Sequence, residues 1–140
     1  MKIGEFSKLV GLSISTLRYY EDQGFLHIER QNGIRNYHAE DVGFVQFVKR
    51  LKDMGMPLVN IKRYADLRYA GAHTARERMI LLQEHYRFIE AEIKRLEGYK
   101  NNLEDKLISF VLQYFIRRSR VFQQDILYYL FPRSLRSLFP

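Results

Sequence analysis

The sequence predicts a mainly α chain in three parts. A winged helix-turn-helix with a short β-hairpin wing occupies residues 1–72, a long dimerisation coiled-coil helix 73–107, and a helical aromatic tail 108–140. Three observations carry this reading. Two short segments with apolar residues at helical spacing are separated by Gly11, which can end one helix in the left-handed conformation, and Ser13, which can cap the next. Asn32-Gly33 is a strong two-residue hairpin signal between β-like segments. Beyond residue 80 the apolar residues adopt the 4-3-4-3 spacing of a coiled-coil seam.

In chain order, Ile3, Phe6, Leu9 and Val10 share one face of the first helix. The second starts after Ser13 and turns residues 14, 17 and 20 or 21 inward, which leaves Ser15, Thr16, Arg18 and Tyr19 on or near the outside until Gly24 stops it. Two such helices around a glycine-containing turn make a helix-turn-helix over about 3–24. Phe25, Leu26 and Ile28 form an outgoing strand and Ile34, Arg35 and Tyr37 the return, giving a wing over about 25–38. Arg30 and Arg35 near its turn suit a phosphate backbone; the same residues also suit an ordinary solvated hairpin.

The acids of Ala39-Glu40-Asp41 favour a third helix, which buries Phe44, Val45, Val48 and Leu51 before Gly55. Pro57 fits the first turn of a fourth, whose inward stripe is Leu58, Ile61, Tyr64 and Ala65, with Lys62 and Arg63 alongside. The seam then runs through Leu82, Tyr86, Ile89, Ile93, Leu96, Lys100, Leu103 and Leu107. An apolar stripe roughly 40 Å long, at about 1.5 Å per residue, needs a partner helix. Lys100 interrupts it, either to specify register or where the two helices diverge.

The tail carries Phe110, Tyr114, Phe115, Phe122 and Tyr128 among its aromatics, with Arg117, Arg118 and Arg120 between two apolar stretches. Four readings stay open: packing on the rest of the chain, an effector pocket, a basic membrane-surface helix, or a non-native reading frame.

Composition narrows the function classes. With no cysteine there is no disulfide, thiolate metal site or cysteine redox switch. The net charge of +7 divides into +3 for residues 1–72, zero for 73–106 and +4 for 107–140, so both ends are basic, as phosphate binding allows. The beginning of the chain lacks an apolar signal core and no stretch is long enough to span a membrane, so a cytoplasmic location is expected. His27, His38, His73 and His85 are scattered without ligand spacing, and Glu90, Glu92 and Glu97 alternate with Lys94 and Arg95 as on a solvated helix face. No phosphate-binding loop, dinucleotide fingerprint or nucleophile elbow is present. The chain reads as a non-enzyme that needs no cofactor and holds no metal.

The run Thr16-Leu17-Arg18-Tyr19-Tyr20-Glu21-Asp22-Gln23-Gly24-Phe25-Leu26, followed by Gly33-Ile34-Arg35-Asn36-Tyr37, resembles the MerR family of bacterial winged helix-turn-helix regulators over roughly residues 1–107. The resemblance implies sequence-specific binding of double-stranded promoter DNA as an antiparallel homodimer. It implies that Thr16, Arg18 and Tyr19 face the groove, that Arg35 and Tyr37 hold the backbone, and that Lys62 and Arg63 lie on a helix acting as a second wing. Tyr20 is expected in the core. Family members bind an over-long promoter spacer and distort it so that RNA polymerase engages both promoter elements.

The wing and the segment Phe44-Val45-Gln46-Phe47-Val48-Lys49 are most similar to the aldehyde-responsive branch, whose cysteine is replaced here by Arg50. Any inducer is therefore expected to be a small organic compound recognised without a thiol, with Phe110, Tyr114, Phe115, Phe122 and Tyr128 as candidate contacts. The competing reading is an architectural or adaptor protein whose coiled coil and aromatic tail make protein contacts while the winged module attaches weakly to DNA.

Overall fold

Ser13 starts the helix that organises this fold. Its hydroxyl accepts the Thr16 amide at 3.1 Å, capping α2 (Ile14–Asp22), while Gly11 at φ +69° closes α1 (Ile3–Val10). The computed structural model describes residues 1–118. After α2 the chain forms β1 (Glu29–Gln31) and β2 (Ile34–Asn36), an antiparallel pair with Gln31 opposite Ile34 and Arg30 opposite Arg35. Asn32 and Gly33 both take positive φ, +51° and +78°, as a two-residue hairpin turn of this kind requires.

Next come α3 (Ala39–Asp53) and α4 (Leu58–Ala70), then a 3-10 turn at Ala72–Thr74 and the 44-residue α5 (Ala75–Arg118). The His38 amide donates to the Asp41 carboxylate at 2.8 Å, the expected acidic start of α3. Pro57 caps α4 from outside instead of occupying its first turn.

Helices α1 to α4 enclose one apolar core, in which Phe6, Leu17, Tyr20, Phe25, Tyr37, Val45, Val48, Leu51 and Ile61 are essentially inaccessible. Burial of so many large side chains around α2 fixes the helix whose opposite face carries Arg18 and Tyr19. Two expected inward residues lie outside this core: Ile14 and Leu58 are 38% and 42% exposed. Each begins its helix, and the first turn overhangs the core's edge.

Packing divides the chain after Ile89. In the first unit the opening turns of α5 belong to the winged module: Leu81 and His85 are buried, Leu82 packs on the core, and a ring nitrogen of His85, Nε2, lies 3.0 Å from the Met54 carbonyl. A carbonyl only accepts, so Nε2 carries the proton. In the second unit α5 continues without a break past residue 107, the expected start of the tail, and Ile93, Leu96, Leu103 and Leu107 are 46–63% exposed. No helix among the described residues is long and apolar enough to cross a membrane.

Candidate DNA-binding surface

Arg18 stands on the exposed face of α2 with no hydrogen bond or ion pair among the described residues. Tyr19 is 36% exposed, and the Lys52 ammonium lies 4.8 Å from its ring centroid, so a residue of α3 steadies it from behind. Thr16 is less free: its backbone and its hydroxyl both engage the Ser13 hydroxyl, at 3.1 and 2.8 Å. Tyr20 is buried, as expected of a core residue, and its phenol pKa is raised, first by burial and then by the charge of Asp53.

The wing joins α2 through one carboxylate. Glu21 accepts the Arg35 Nε–H at 2.7 and 3.0 Å through its two oxygens, and the Tyr37 hydroxyl donates to the same group at 2.5 Å. Tyr37, which the resemblance sets on the DNA backbone, lies inside the fold. The residue is 1% exposed, its ring stacks on Phe6 with centroids 4.4 Å apart, and its amide donates to the Met1 carbonyl at 3.0 Å. It follows the last residue of β2, so the chain has already turned toward α1 and carries the ring into the core. Burial, then the bond to Glu21, raise the phenol's pKa well above its usual value.

Arg35 remains at the surface with its side chain 27% exposed, and its guanidinium pKa is raised, chiefly by the bond to Glu21. The directly opposed Arg30 is exposed and lacks any ion pair among the described residues. Opposed cross-strand cations repel, which makes this face of the hairpin receptive to an anion. A shallow open groove beside it is lined by Lys2, Glu5, Asn32 and Arg35 among others.

On α4, Lys62 and Arg63 are both exposed. Lys62 pairs with Asp66 at 2.7 Å and lays its stem against Gly24, where a Cβ would meet its Cε at 3.2 Å; Arg63 has no ion-pair partner among the described residues. Glu21, Lys52 and the cross-hairpin position of Arg30 are parts of this candidate surface that the sequence leaves unmarked. Only the hairpin register, which brings Arg35 back to α2, reveals the first.

Of the seam residues, Tyr86 is 64% exposed and Ile89 half-buried, whereas Leu82 faces the chain's own core. Among the candidate effector contacts, Phe110 and Tyr114 are 60% and 43% exposed, Phe115 is half-buried with its ring 5.9 Å from that of Tyr114, and Phe122 and Tyr128 lie outside the described residues. No group of three His, Asp or Glu side chains suited to a metal exists among the described residues.

Two capped helices, a hairpin clamped to the second, and a fourth helix with exposed basic groups define a winged helix-turn-helix transcriptional regulator. Residues 1–67 match the family described as MerR HTH family regulatory protein, and residues 44–106 match the family described as MerR, DNA binding. An HTH-type transcriptional regulator of Haemophilus influenzae is 33% identical over 100 residues, 70% of this chain and 74% of that protein. The HTH-type transcriptional regulator AdhR of Bacillus subtilis is 36% identical over 93 residues, 64% of this chain and 66% of the relative. The crystal structure of HiNmlR, a MerR family regulator lacking the sensor domain, bound to promoter DNA, superposes with a TM-score of 0.62 at 29% identity, covering 83% of this chain and 92% of that one. The chain belongs to the MerR family of HTH transcriptional regulators.

Proposed function

We propose that this regulator binds promoter DNA as a homodimer, with α2 in the major groove, the hairpin on the flanking backbone and α4 as a second wing. The observation that carries this reading is Arg18, an exposed cation on α2 with no hydrogen bond or ion pair among the described residues, flanked by the exposed Tyr19. A guanidinium there can take a guanine edge or a phosphate. Arg30, Arg35 and Arg63 extend the cationic surface to either side, and HiNmlR, a MerR-family protein of similar fold, was crystallised on promoter DNA.

Dimerisation follows from α5, where Tyr86, Ile93, Leu96, Leu103 and Leu107 would otherwise remain in water. Two winged modules held by such a seam can bend and untwist an over-long spacer until RNA polymerase engages both promoter elements, with specificity drawn partly from the cost of deforming the duplex. An inducer, where one acts, is a small organic compound bound without a thiol, and Phe110, Tyr114 and Phe115 are its candidate contacts. Selection of duplexes from a random pool, followed by transcription from a promoter carrying the selected site, tests the proposal. A dyad-symmetric site within a long spacer, giving protein-dependent transcription, is expected; recovery of no common sequence would favour the architectural alternative.

A further inference from the structure

Glu21 presents a difficulty for a DNA-binding surface, because a carboxylate beside the recognition face repels phosphate. Its contacts account for its place there. It accepts one of the five guanidinium donors of Arg35, the Nε–H, and the hydroxyl of the buried Tyr37. The two Nη groups of Arg35 have no hydrogen-bond partner among the described residues, and they are not among the buried polar atoms left without one, so they open to solvent. Arg30, opposite on the ladder, leaves the same face with an excess of positive charge.

We propose that Glu21 is a positioning residue of the DNA-binding surface: it clamps the wing to α2 and grips Arg35 by its Nε edge, so that both Nη groups meet a backbone phosphate. The proposal rests on the DNA-binding reading above. A free arginine side chain loses rotamer entropy when it orders on a phosphate, and one already held by Glu21 loses less. The planar fork allows it to bond a carboxylate on one edge and a phosphate on another; the single ammonium of a lysine cannot keep that geometry.

The test compares affinities of the full chain for a selected duplex, by fluorescence anisotropy, across wild type, Glu21→Gln, Arg35→Ala and the double variant. Glu21→Gln should weaken binding by about tenfold, the scale of a charge-assisted hydrogen bond, although it removes a negative charge. In the Arg35→Ala background the same change should alter affinity by less than about twofold. Tighter or unchanged binding by Glu21→Gln, or an equal loss in both backgrounds, would overturn the proposal. If Glu21→Gln does not fold, Arg35→Lys decides: a loss close to that of Arg35→Ala supports the fork, and wild-type affinity refutes it.

A second measurement needs no DNA. Amides of residues 30–36 should exchange about tenfold faster in Glu21→Gln while those of α3 hold their rates; unchanged wing exchange would overturn the clamp. A wild type that selects no duplex would instead sink the DNA-binding reading, and with it the phosphate role of Arg35, leaving the exchange experiment to judge the clamp alone.

Discussion

Replacing Arg18 with alanine separates recognition from folding more cleanly than any other substitution in this chain. The side chain is exposed and forms no hydrogen bond or ion pair among the described residues, and alanine is at least as good a helix former as arginine. Stability should therefore change by no more than about 0.5 kcal/mol, the usual range for a surface site. Loss of a guanidinium that reads a base costs about 1–3 kcal/mol per half-site, a factor of roughly 5 to 150, and relaxes selectivity at that position. Loss of a phosphate contact instead lowers affinity for all sequences and reduces the salt slope by about 0.9 for each contact. Anisotropy titrations against the selected operator and its single-base variants, at several salt concentrations, tell the two apart, with melting curves as the folding control. Unchanged affinity, or a melting temperature lowered by many degrees, would refute the reasoning that places Arg18 at the interface and outside the fold.

Three further outcomes are expected. Ile93→Asp sets a carboxylate in the seam and should dissociate or unfold the dimer, read by sedimentation velocity; a folded monomer for the unaltered chain would dispose of the seam itself. Leu17→Ala, at a fully buried site on the inner face of α2, should destabilise the winged module by about 2–5 kcal/mol in denaturant titration, and a loss below about 1 kcal/mol would contradict the packing described. The raised phenol pKa of Tyr37 means that the folded state keeps its proton more strongly than the unfolded one, so this stabilisation is complete below the ordinary value of 10.0 and declines as pH rises from there through the folded value. Tyr37→Phe removes that titration, so its stability should fall less steeply above pH 10.0 than that of wild type. Tyr20 and Tyr69, also raised, keep part of the slope; identical alkaline profiles would rule out the Tyr37 contribution.

Local chemistry made most of the first seventy residues legible. Ser13, Gly11, the Asn32-Gly33 turn and the acids in the first turn of α3 each act within a few residues of their own position, so the sequence places the elements they bound. The family resemblance sets Tyr37 beside Arg35 on the DNA backbone, and only the fold shows that β2 ends at Asn36 and that the chain turns inward one residue later, burying the ring. Leu82 shares the heptad register of the seam, yet its position near the start of α5 lets the chain's own core claim it. Periodicity reports that a face is apolar; it does not report which surface covers it. The contacts of Glu21 stay hidden in the sequence for a related reason. Its partners, Arg35 and Tyr37, are 14 and 16 residues away and meet it only once the hairpin has folded back.

The cations of the proposed recognition surface therefore belong to two physical classes. Arg18, Arg30 and Arg63 have no carboxylate partner among the described residues, so they can meet phosphate or bases without breaking an existing ion pair. Arg35 and Lys62 are already held, by Glu21 and by Asp66. For Lys62 the pair is exposed on both sides and separated by one helical turn, a contact that contributes about 0.3–0.5 kcal/mol at most, so DNA can displace Asp66 at little cost. Glu21 is mostly buried, and its bond to Arg35 fixes the geometry between wing and helix. Displacing it would leave a poorly solvated carboxylate and release the hairpin. DNA that engages Lys62 should thus compete with its intramolecular partner, whereas DNA that engages Arg35 must add to the existing pair. Substitution of Asp66 by alanine should consequently leave binding unchanged or improve it, while loss of Glu21 weakens it, although both changes remove one negative charge from the same surface.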